Sequence, residues 1–380
     1  MFNKIFLIVG ARPNFMKIAP VILEMKKYKD IFLPILIHTG QHYSYEMSEK
    51  FFEDLELPEP DIHLGIGSGT HSEQTAKIMI EFEKVCLKEK PDLVIVVGDV
   101  NSTLACSIVS AKLSILLVHI EAGLRSFDKT MPEEINRKVT DALSDYLFTT
   151  CEDANNNLIN EGILKEKIFF VGNVMIDTLF KYREKAKKSR ILQRLNLIDN
   201  NSIRPYALLT LHRPSNVDNN KTFKKIITAL LEISKYIPII FPIHPRTKKQ
   251  IAKYHFEKYF SFLNSQFLIQ NSKINYIDPL GYLDFLKLMC NAKFVLTDSG
   301  GIQEETTILG IPCLTLRENT ERPITIREGT NELVGTNKEK IIEVTLKILR
   351  NGGKKESIPK FWDGKSAERI VNKLILIFNR

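Results

Sequence analysis

Cysteine is scarce, with five residues in 380. Cys86, Cys106, Cys151, Cys290 and Cys313 are an odd, scattered set without CxxC spacing, which argues against a disulfide framework and a zinc site. Reduced, buried thiols are expected, and no metal. No apolar run approaches the ~18–20 residues of a membrane-spanning helix. Met1-Phe2-Asn3-Lys4 leads into a short apolar run that soon meets Gly10, Arg12 and Pro13, a first strand and not a secretory signal. The expectation is a cytoplasmic protein with no membrane contact. A basic stripe with interleaved aromatics is also missing, which argues against nucleic acid. The net charge of +8 comes from lysines on polar, solvated segments such as Lys181–Lys188 and Lys354-Lys355, and mildly favours an anionic small molecule. No repeat of ~20–50 residues is visible, which removes solenoids. Gly65-Ile66-Gly67-Ser68-Gly69 lacks the GxGxxG spacing and follows no convincing strand, so it reads as a mobile loop and not a dinucleotide fingerprint.

What the chain does have is a globular balance, 44% hydrophobic and 26% charged, and more length than one core of roughly 100–200 residues accounts for. In the first half, apolar runs bounded by turn residues predict strands at Ile5–Val9, Pro34–His38, Leu93–Val97, Leu116–Ile120, Tyr146–Thr149 and Ile168–Val171. Helix-period segments fall between them at Met16–Tyr28, Tyr45–Leu55, Gln74–Leu87, Ser102–Lys112 and Glu133–Leu143. That alternation predicts a parallel sheet covered on both faces.

Beyond Gly172 a lysine-rich helix, Lys181–Leu195, and a polar turn, Asp199-Asn200-Asn201, read as hinge and linker. A second series follows, with strands Tyr206–Leu211, Ile237–Phe241, Ile274–Ile277, Phe294–Thr297 and Cys313–Leu316. Its helices are Thr222–Ser234, Tyr282–Met289, Ile302–Leu309 and Lys338–Leu349. The expected fold is α/β, two Rossmann-like doubly wound domains at 1–172 and 173–362 with the site in a cleft between them. The last helical segment, in 363–380, is expected to dock back on the first domain.

The richest stretch is 116–137, LLVHIEAGLRSFDKTMPEEINR, where a buried strand pattern runs straight into acids and arginines. Glu121 falls at the carboxyl end of that strand, where open α/β sheets hold ligands. Asp99, in Gly98-Asp99-Val100-Asn101, ends another strand; it reads either as a helix cap or as a second acid in the same crevice. Thr130-Met131-Pro132-Glu133 looks like a capping box, so Glu133 stays open between cap partner and catalytic acid. Acids sharing a crevice lose their protons at separated pKa values, which is acid–base equipment.

In the second half, Asp298-Ser299-Gly300-Gly301-Ile302-Gln303-Glu304-Glu305 puts small residues at a strand-to-helix turn. Open helix N–H groups there make a phosphate cradle, with Glu304 or Glu305 available to ribose hydroxyls; a plain capped turn is the bland alternative. Arg12, Lys17 and Arg322 are cations able to clamp a diphosphate. His212, and with less force His244, read as structural or as donors to a leaving phosphate.

Gly10-Ala11-Arg12-Pro13, Gly98-Asp99, His119-Ile120-Glu121-Ala122-Gly123-Leu124-Arg125, Pro132-Glu133-Glu134-Ile135-Asn136-Arg137, Gly172-Asn173, His212-Arg213, Ser299 to Glu305 and Thr320-Glu321-Arg322-Pro323, in this order over nearly the whole chain, resemble the bacterial non-hydrolysing UDP-N-acetylglucosamine 2-epimerases. The resemblance implies a GT-B fold, a homodimer, and interconversion of UDP-N-acetylglucosamine and UDP-N-acetylmannosamine for surface polysaccharides, with no cofactor. It implies that Asp99, Glu121 and Glu133 are catalytic carboxylates and that His212 lies by the diphosphate. It implies further that Arg12, Lys17, Arg137, Phe285, Ser299, Gly300, Gly301, Glu305 and Arg322 bind substrate. Gln41 and His42 match part of an allosteric pocket, although Tyr43-Ser44-Tyr45 departs from it.

The chemistry explains the equipment. The C2 hydrogen of the sugar is not beside a carbonyl, so the C1–O bond must break first, giving an oxocarbenium-like centre that acidifies C2–H. A carboxylate then takes the proton, leaving 2-acetamidoglucal and UDP. Rival expectations are a hydrolysing epimerase, an epimerase of another UDP-aminosugar, a GT-B glycosyltransferase and a non-catalytic UDP-sugar sensor.

Overall fold

The computed structural model describes residues 3–40, 59–200, 202–263, 269, 272–355 and 357–378. Gln41, His42, the helix expected at Tyr45–Leu55 and the side chain of Arg12 lie outside the described residues. The chain divides into two compact units, Met1–Phe180 with Lys360–Arg380, and Lys181–Pro359.

The first unit is built on β1 (Asn3–Val9), β2 (Phe32–His38), β3 (Ile62–His63), β4 (Leu93–Val97), β5 (Leu116–Ala122), β6 (Tyr146–Thr149) and β7 (Ile168–Phe170). They form a parallel sheet in the order β3-β2-β1-β4-β5-β6-β7. All five residues of β4 are fully buried, as a strand covered on both faces requires. The strand order reverses direction at β1, so the carboxyl ends of β1 and β4 flank a topological switch point, where such sheets bind ligands.

Helix His71–Glu89 starts earlier than its apolar period suggested, because Thr70 and Glu73 form a capping box. The C-terminal helix Ser366–Phe378 belongs to this unit and packs on helix Arg12–Met25. Asp177 accepts from the backbone N–H groups of Ser366 and Ala367 at its start, at 3.1 and 2.7 Å. The single tryptophan, Trp362, is buried and donates to the Thr150 carbonyl at 2.9 Å.

The hinge and linker read at 199–201 lies inside the second unit, which begins at Lys181, and beside it β8 (Ile198–Asp199) pairs antiparallel with β9 (Ser202–Ile203). The lysine-rich segment before it is not one helix but two, Val174–Ala186 and Ile191–Arg194. The main sheet comprises β10 (Ala207–Thr210), β11 (Ile239–Pro242), β12 (Phe260–Phe262), β13 (Ile274–Ile277), β14 (Phe294–Thr297), β15 (Cys313–Thr315) and β16 (Asn331–Leu333), in the order β12-β13-β11-β10-β14-β15-β16. Its switch point lies between β10 and β14. Helix Asn220–Ile233 shows how the layer is held: Asn219 caps it by accepting from Thr222 N at 3.1 Å, and Phe223, Ile226, Ile227, Leu230 and Ile233 form one buried stripe.

Gly65–Gly69 does follow a strand, the two-residue β3, too short to show in the sequence. It is tied back by Ile66 and Gly67 N–H donating to the Thr39 and Gly40 carbonyls, at 3.1 Å each.

Candidate active site

At the switch point of the first sheet, the turn after β4 is shaped by what must fit against it. Gly98 has φ +68, and a Cβ there would lie 3.1 Å from Lys17 Nζ, 3.3 Å from Glu121 Oε2 and 3.6 Å from Asn14 Nδ2. Glycine therefore lets a lysine and a carboxylate meet over the end of β4. Lys17 and Glu121 form an ion pair with side chains only 9% and 4% exposed. Glu121 itself has φ +74, and the pairing of β5 with β6 slips between Ile120 and Ala122. A non-glycine residue in the left-handed region costs on the order of 1–3 kcal/mol, and such strain gathers at functional sites.

The next residue after that glycine, Asp99, is half-exposed and accepts from Arg137 Nη1 at 2.6 Å; its carbonyl accepts from Asn136 Nδ2 at 2.9 Å. Arg137 is buried on helix Pro132–Leu143 and also grips Glu134 Oε2 at 2.6 Å. Burial works to raise the Glu134 carboxyl pKa, but the Arg137 hydrogen bond and the Ser126 donors hold it below its ordinary value.

Here the capping-box expectation is corrected. The N-cap is Met131 without a side-chain cap bond, and Thr130 turns instead to Asp128 Oδ1 at 2.7 Å. The residue at the third helical position is Glu134, which takes the N–H groups of Ser126 and Phe127 at 2.9 and 3.1 Å. Glu133 is left half-buried and, among the described residues, with no ion pair or hydrogen bond. One helical turn separates it from Arg137, so it shares the face that carries Arg137 to Asp99. The structure thus brings Lys17, Asp99, Glu121, Glu133 and Arg137 to one edge of the first unit. His119 and Arg125, which the sequence placed at the same strand end, are buried and tied up internally.

In the second unit the switch point gathers a buried carboxylate, arginines and an uncapped helix start. Asp298, fully buried after β14, accepts from the N–H groups of His212 and Arg213 at 2.9 and 2.8 Å and pairs with His212 Nδ1 at 3.1 Å. Burial opposes ionisation, but His212 and these donors bring its carboxyl down to about 2. His212 is thereby fixed at the end of β10 with its ring 38% exposed and 5.3 Å from that of His244.

Helix Gly300–Leu309 starts after Ser299, which makes no side-chain cap bond, so its first N–H groups stay open to an anion. A Cβ at Gly300 would sit 2.3 Å from Arg322 Nη1. Glycine is needed there for the guanidinium to lie across the helix start.

That guanidinium is part of a cluster. Arg213, Arg317 and Arg322 all converge on the buried Glu321, at 3.5, 2.8 and 2.5 Å. Arg322 also donates to Glu304 at 2.7 Å, so of the two acids offered for ribose, Glu304 is already engaged. Glu305 accepts from the Tyr282 hydroxyl at 2.6 Å. Burial pushes its carboxyl up to about 7 against that hydrogen bond, with Glu304 adding repulsion. Phe285 lies half-buried on helix Tyr282–Asn291, one turn from Tyr282.

Sequence reasoning missed Asp141, Tyr282 and Arg317, and saw Glu134, Asp298 and Glu321 only as letters within runs. Their importance comes from partners 1 to 108 residues away, which residue identity alone does not reveal. Among the described residues no group of three acid, histidine or cysteine side chains is placed to hold a metal, and no helix is long and apolar enough to cross a membrane.

Two doubly wound parallel-sheet units, each with polar and charged side chains gathered at its switch point, define the GT-B class. A lipopolysaccharide outer-core galactosyltransferase, 13% identical with a TM-score of 0.54, shares that fold and no more. The crystal structure of Methanocaldococcus jannaschii UDP-GlcNAc 2-epimerase in complex with UDP-GlcNAc and UDP is far more similar, with a TM-score of 0.88 and 48% identity over 98% of this chain and 99% of that one. In sequence, the UDP-N-acetylglucosamine 2-epimerase of that organism is 49% identical over 97% of this chain and 98% of its own. A Pseudomonas aeruginosa UDP-2,3-diacetamido-2,3-dideoxy-D-glucuronate 2-epimerase is 40% identical over 90% of each. The family model for UDP-N-acetylglucosamine 2-epimerase matches residues 24–375. The chain belongs to the UDP-N-acetylglucosamine 2-epimerase family.

Proposed function

We propose that this epimerase interconverts UDP-N-acetylglucosamine and UDP-N-acetylmannosamine without releasing free sugar. The observation that carries the reading is Glu121, a buried carboxylate on strained backbone, paired with Lys17 and set beside the Gly98-Asp99 turn. Acids at two faces of C2 are what inversion there requires.

In the proposed cycle the C1–O bond breaks and UDP departs with the electron pair. A carboxylate among Asp99, Glu121 and Glu133 takes the C2 proton, leaving 2-acetamidoglucal. A proton then returns to the opposite face while a UDP oxygen re-forms the bond to C1. The departing diphosphate is stabilised by Arg322, Arg213, His212 and the N–H groups of Gly300 and Gly301 at the helix start. Glu305 accepts from the ribose, Phe285 lies against the base, and Arg12, Lys17 and Arg137 complete substrate binding. The enzyme acts as a homodimer in the cytoplasm, without cofactor, and supplies a surface polysaccharide. Gln41 and His42 serve an effector site.

A second reading keeps the chemistry but changes the sugar, and the 40% identity to an epimerase named for a diacetamido uronate favours keeping it open. Proton NMR in deuterated water tests both. Deuterium at C2 of UDP-N-acetylglucosamine with UDP still attached supports the proposal. Release of free N-acetylmannosamine and UDP identifies the hydrolysing mode, and turnover of the uronate alone identifies the second reading.

A further inference from the structure

The strained segment that presents Glu121 is gripped from behind by one residue outside the reacting set. Asp141, in the last turn of helix Pro132–Leu143, is 1% exposed. Its Oδ1 meets His119 Nδ1 at 2.6 Å, and its Oδ2 accepts from Gly123 N at 3.1 Å and from Arg125 Nη1 at 2.7 Å. These contacts fall on both sides of Glu121, at positions 119, 123 and 125, across the place where the β5–β6 register slips. His119 passes the grip on, since its Nε2 donates to the Gly98 carbonyl at 2.9 Å. The single carboxylate therefore fixes the backbone that carries Glu121 and, through His119, the turn that carries Asp99.

Left-handed φ at the non-glycine Glu121 persists only where the surroundings over-determine it. Along β5 the ladder to β6 is interrupted at Glu121, so ordinary strand pairing does not supply that restraint. Asp141 supplies it from the helix side. Burial opposes its ionisation, but His119 and Arg125 keep the carboxyl below its usual range.

We propose that Asp141 is a positioning residue for the reaction: it holds the segment His119–Arg125 so that the Glu121 carboxylate rests on Lys17 at the sheet end, and through His119 it sets the Gly98-Asp99 turn. This inference rests on the proposed acid–base role of Glu121.

The test compares full-length wild type with Asp141→Ala, Asp141→Asn and His119→Gln, at a temperature where circular dichroism shows each folded. Asparagine keeps an oxygen for Gly123 and Arg125 and an amide for His119. A misplacement of about 1 Å costs about 100-fold in rate, so Asp141→Ala is expected to lower kcat about 100-fold with KM within about threefold. The primary isotope effect with substrate deuterated at C2 rises, because proton transfer becomes slower. Asp141→Asn restores kcat to within about tenfold, and His119→Gln falls between the two.

A folded Asp141→Ala protein with wild-type kcat and isotope effect, only less heat-stable, overturns the proposal. If alanine at 141 does not fold, the same readouts on Asp141→Asn and His119→Gln decide, unchanged values in both overturning it. Should wild type show no exchange at C2, the acid–base reading fails by itself. The crystal structure of Asp141→Asn or His119→Gln then decides the positioning claim: Glu121 displaced from Lys17 supports it, and Glu121 unmoved overturns it.

Discussion

The two units place opposite electrostatics at the switch points of two doubly wound parallel sheets whose outer strand orders differ. At the β1/β4 switch of the first, carboxylates are each held by a cation: Glu121 by Lys17, Asp99 and Glu134 by Arg137. At the β10/β14 switch of the second, the arrangement inverts, and three guanidiniums are gathered by one carboxylate, Glu321. A doubly wound sheet fixes where a site lies and leaves its sign to the side chains. In the proposed cycle the first arrangement supplies the acids for proton transfer, and the second supplies cations and helix N–H groups for the diphosphate. If that division holds, damage to one unit should separate turnover from nucleotide binding.

The largest separation is expected from Glu121→Gln, which keeps an acceptor for Lys17 but removes one of the proposed acid–base carboxylates. The expected loss in kcat is about 1,000-fold or more, since general acid–base groups contribute roughly 10²–10⁴, with UDP affinity by calorimetry within about threefold. A comparable loss of UDP affinity would break the comparison.

Glu321→Gln strikes the other unit. Removing one partner of a buried ionic cluster costs about 3–5 kcal/mol, read as a lower denaturant midpoint, because three guanidiniums are left crowded together. Added UDP should raise the melting temperature more in this variant than in wild type, its phosphates taking the place of the lost carboxylate. Equal shifts in both proteins would show that the cluster does not meet the nucleotide.

Why one half of this design was legible and the other was not follows from distance along the chain. Strands such as Leu93–Val97 and Phe294–Thr297 are continuous apolar runs, and the structure has them at the same residues. Phe260–Phe262, Asn331–Leu333 and Ile62–His63 are too short for a period to form, and were missed. Pro245–Lys253 went unread because its buried face is only Thr247 and Ile251. The acids and glycines were visible because they stand at strand ends. What holds them was not: Asp298 works through the backbone N–H groups of His212 and Arg213, and Asp141 through side chains 16 and 22 positions away and one backbone N–H, none of which shows in residue identity. The capping box at Thr70 was readable from Thr-x-x-Glu, whereas the similar-looking Thr130 failed because the helix begins at Pro132, putting Met131 at the cap.

Gly98→Ala sharpens the first unit's side of the comparison. Its φ of +68 and the 3.1 Å approach to Lys17 Nζ leave a methyl group strained and crowded. The expected stability loss is about 1–2 kcal/mol, with a fall in kcat larger than any change in UDP affinity. A variant that loses stability but keeps kcat would show that the Lys17–Glu121 placement tolerates the shift.

The smallest effect is a pH dependence confined to the second unit. Burial raises the Glu305 carboxyl to about 7, so below that pH it is protonated and a weaker acceptor for ribose hydroxyls. UDP affinity should therefore rise about tenfold from roughly pH 6 to pH 8, as the ionised fraction does, with a proton released on binding. Stability without ligand runs the other way. The folded state holds its proton more tightly than the unfolded chain, whose carboxyl titrates near its ordinary 4.5, so this contribution is present at low pH and is lost as pH rises through about 7. Glu305→Gln keeps the acceptor for Tyr282 and removes the titration, so the difference between the two affinity profiles isolates this group from every other one that titrates. Identical profiles would take Glu305 out of nucleotide binding while leaving the acids of the first unit untouched.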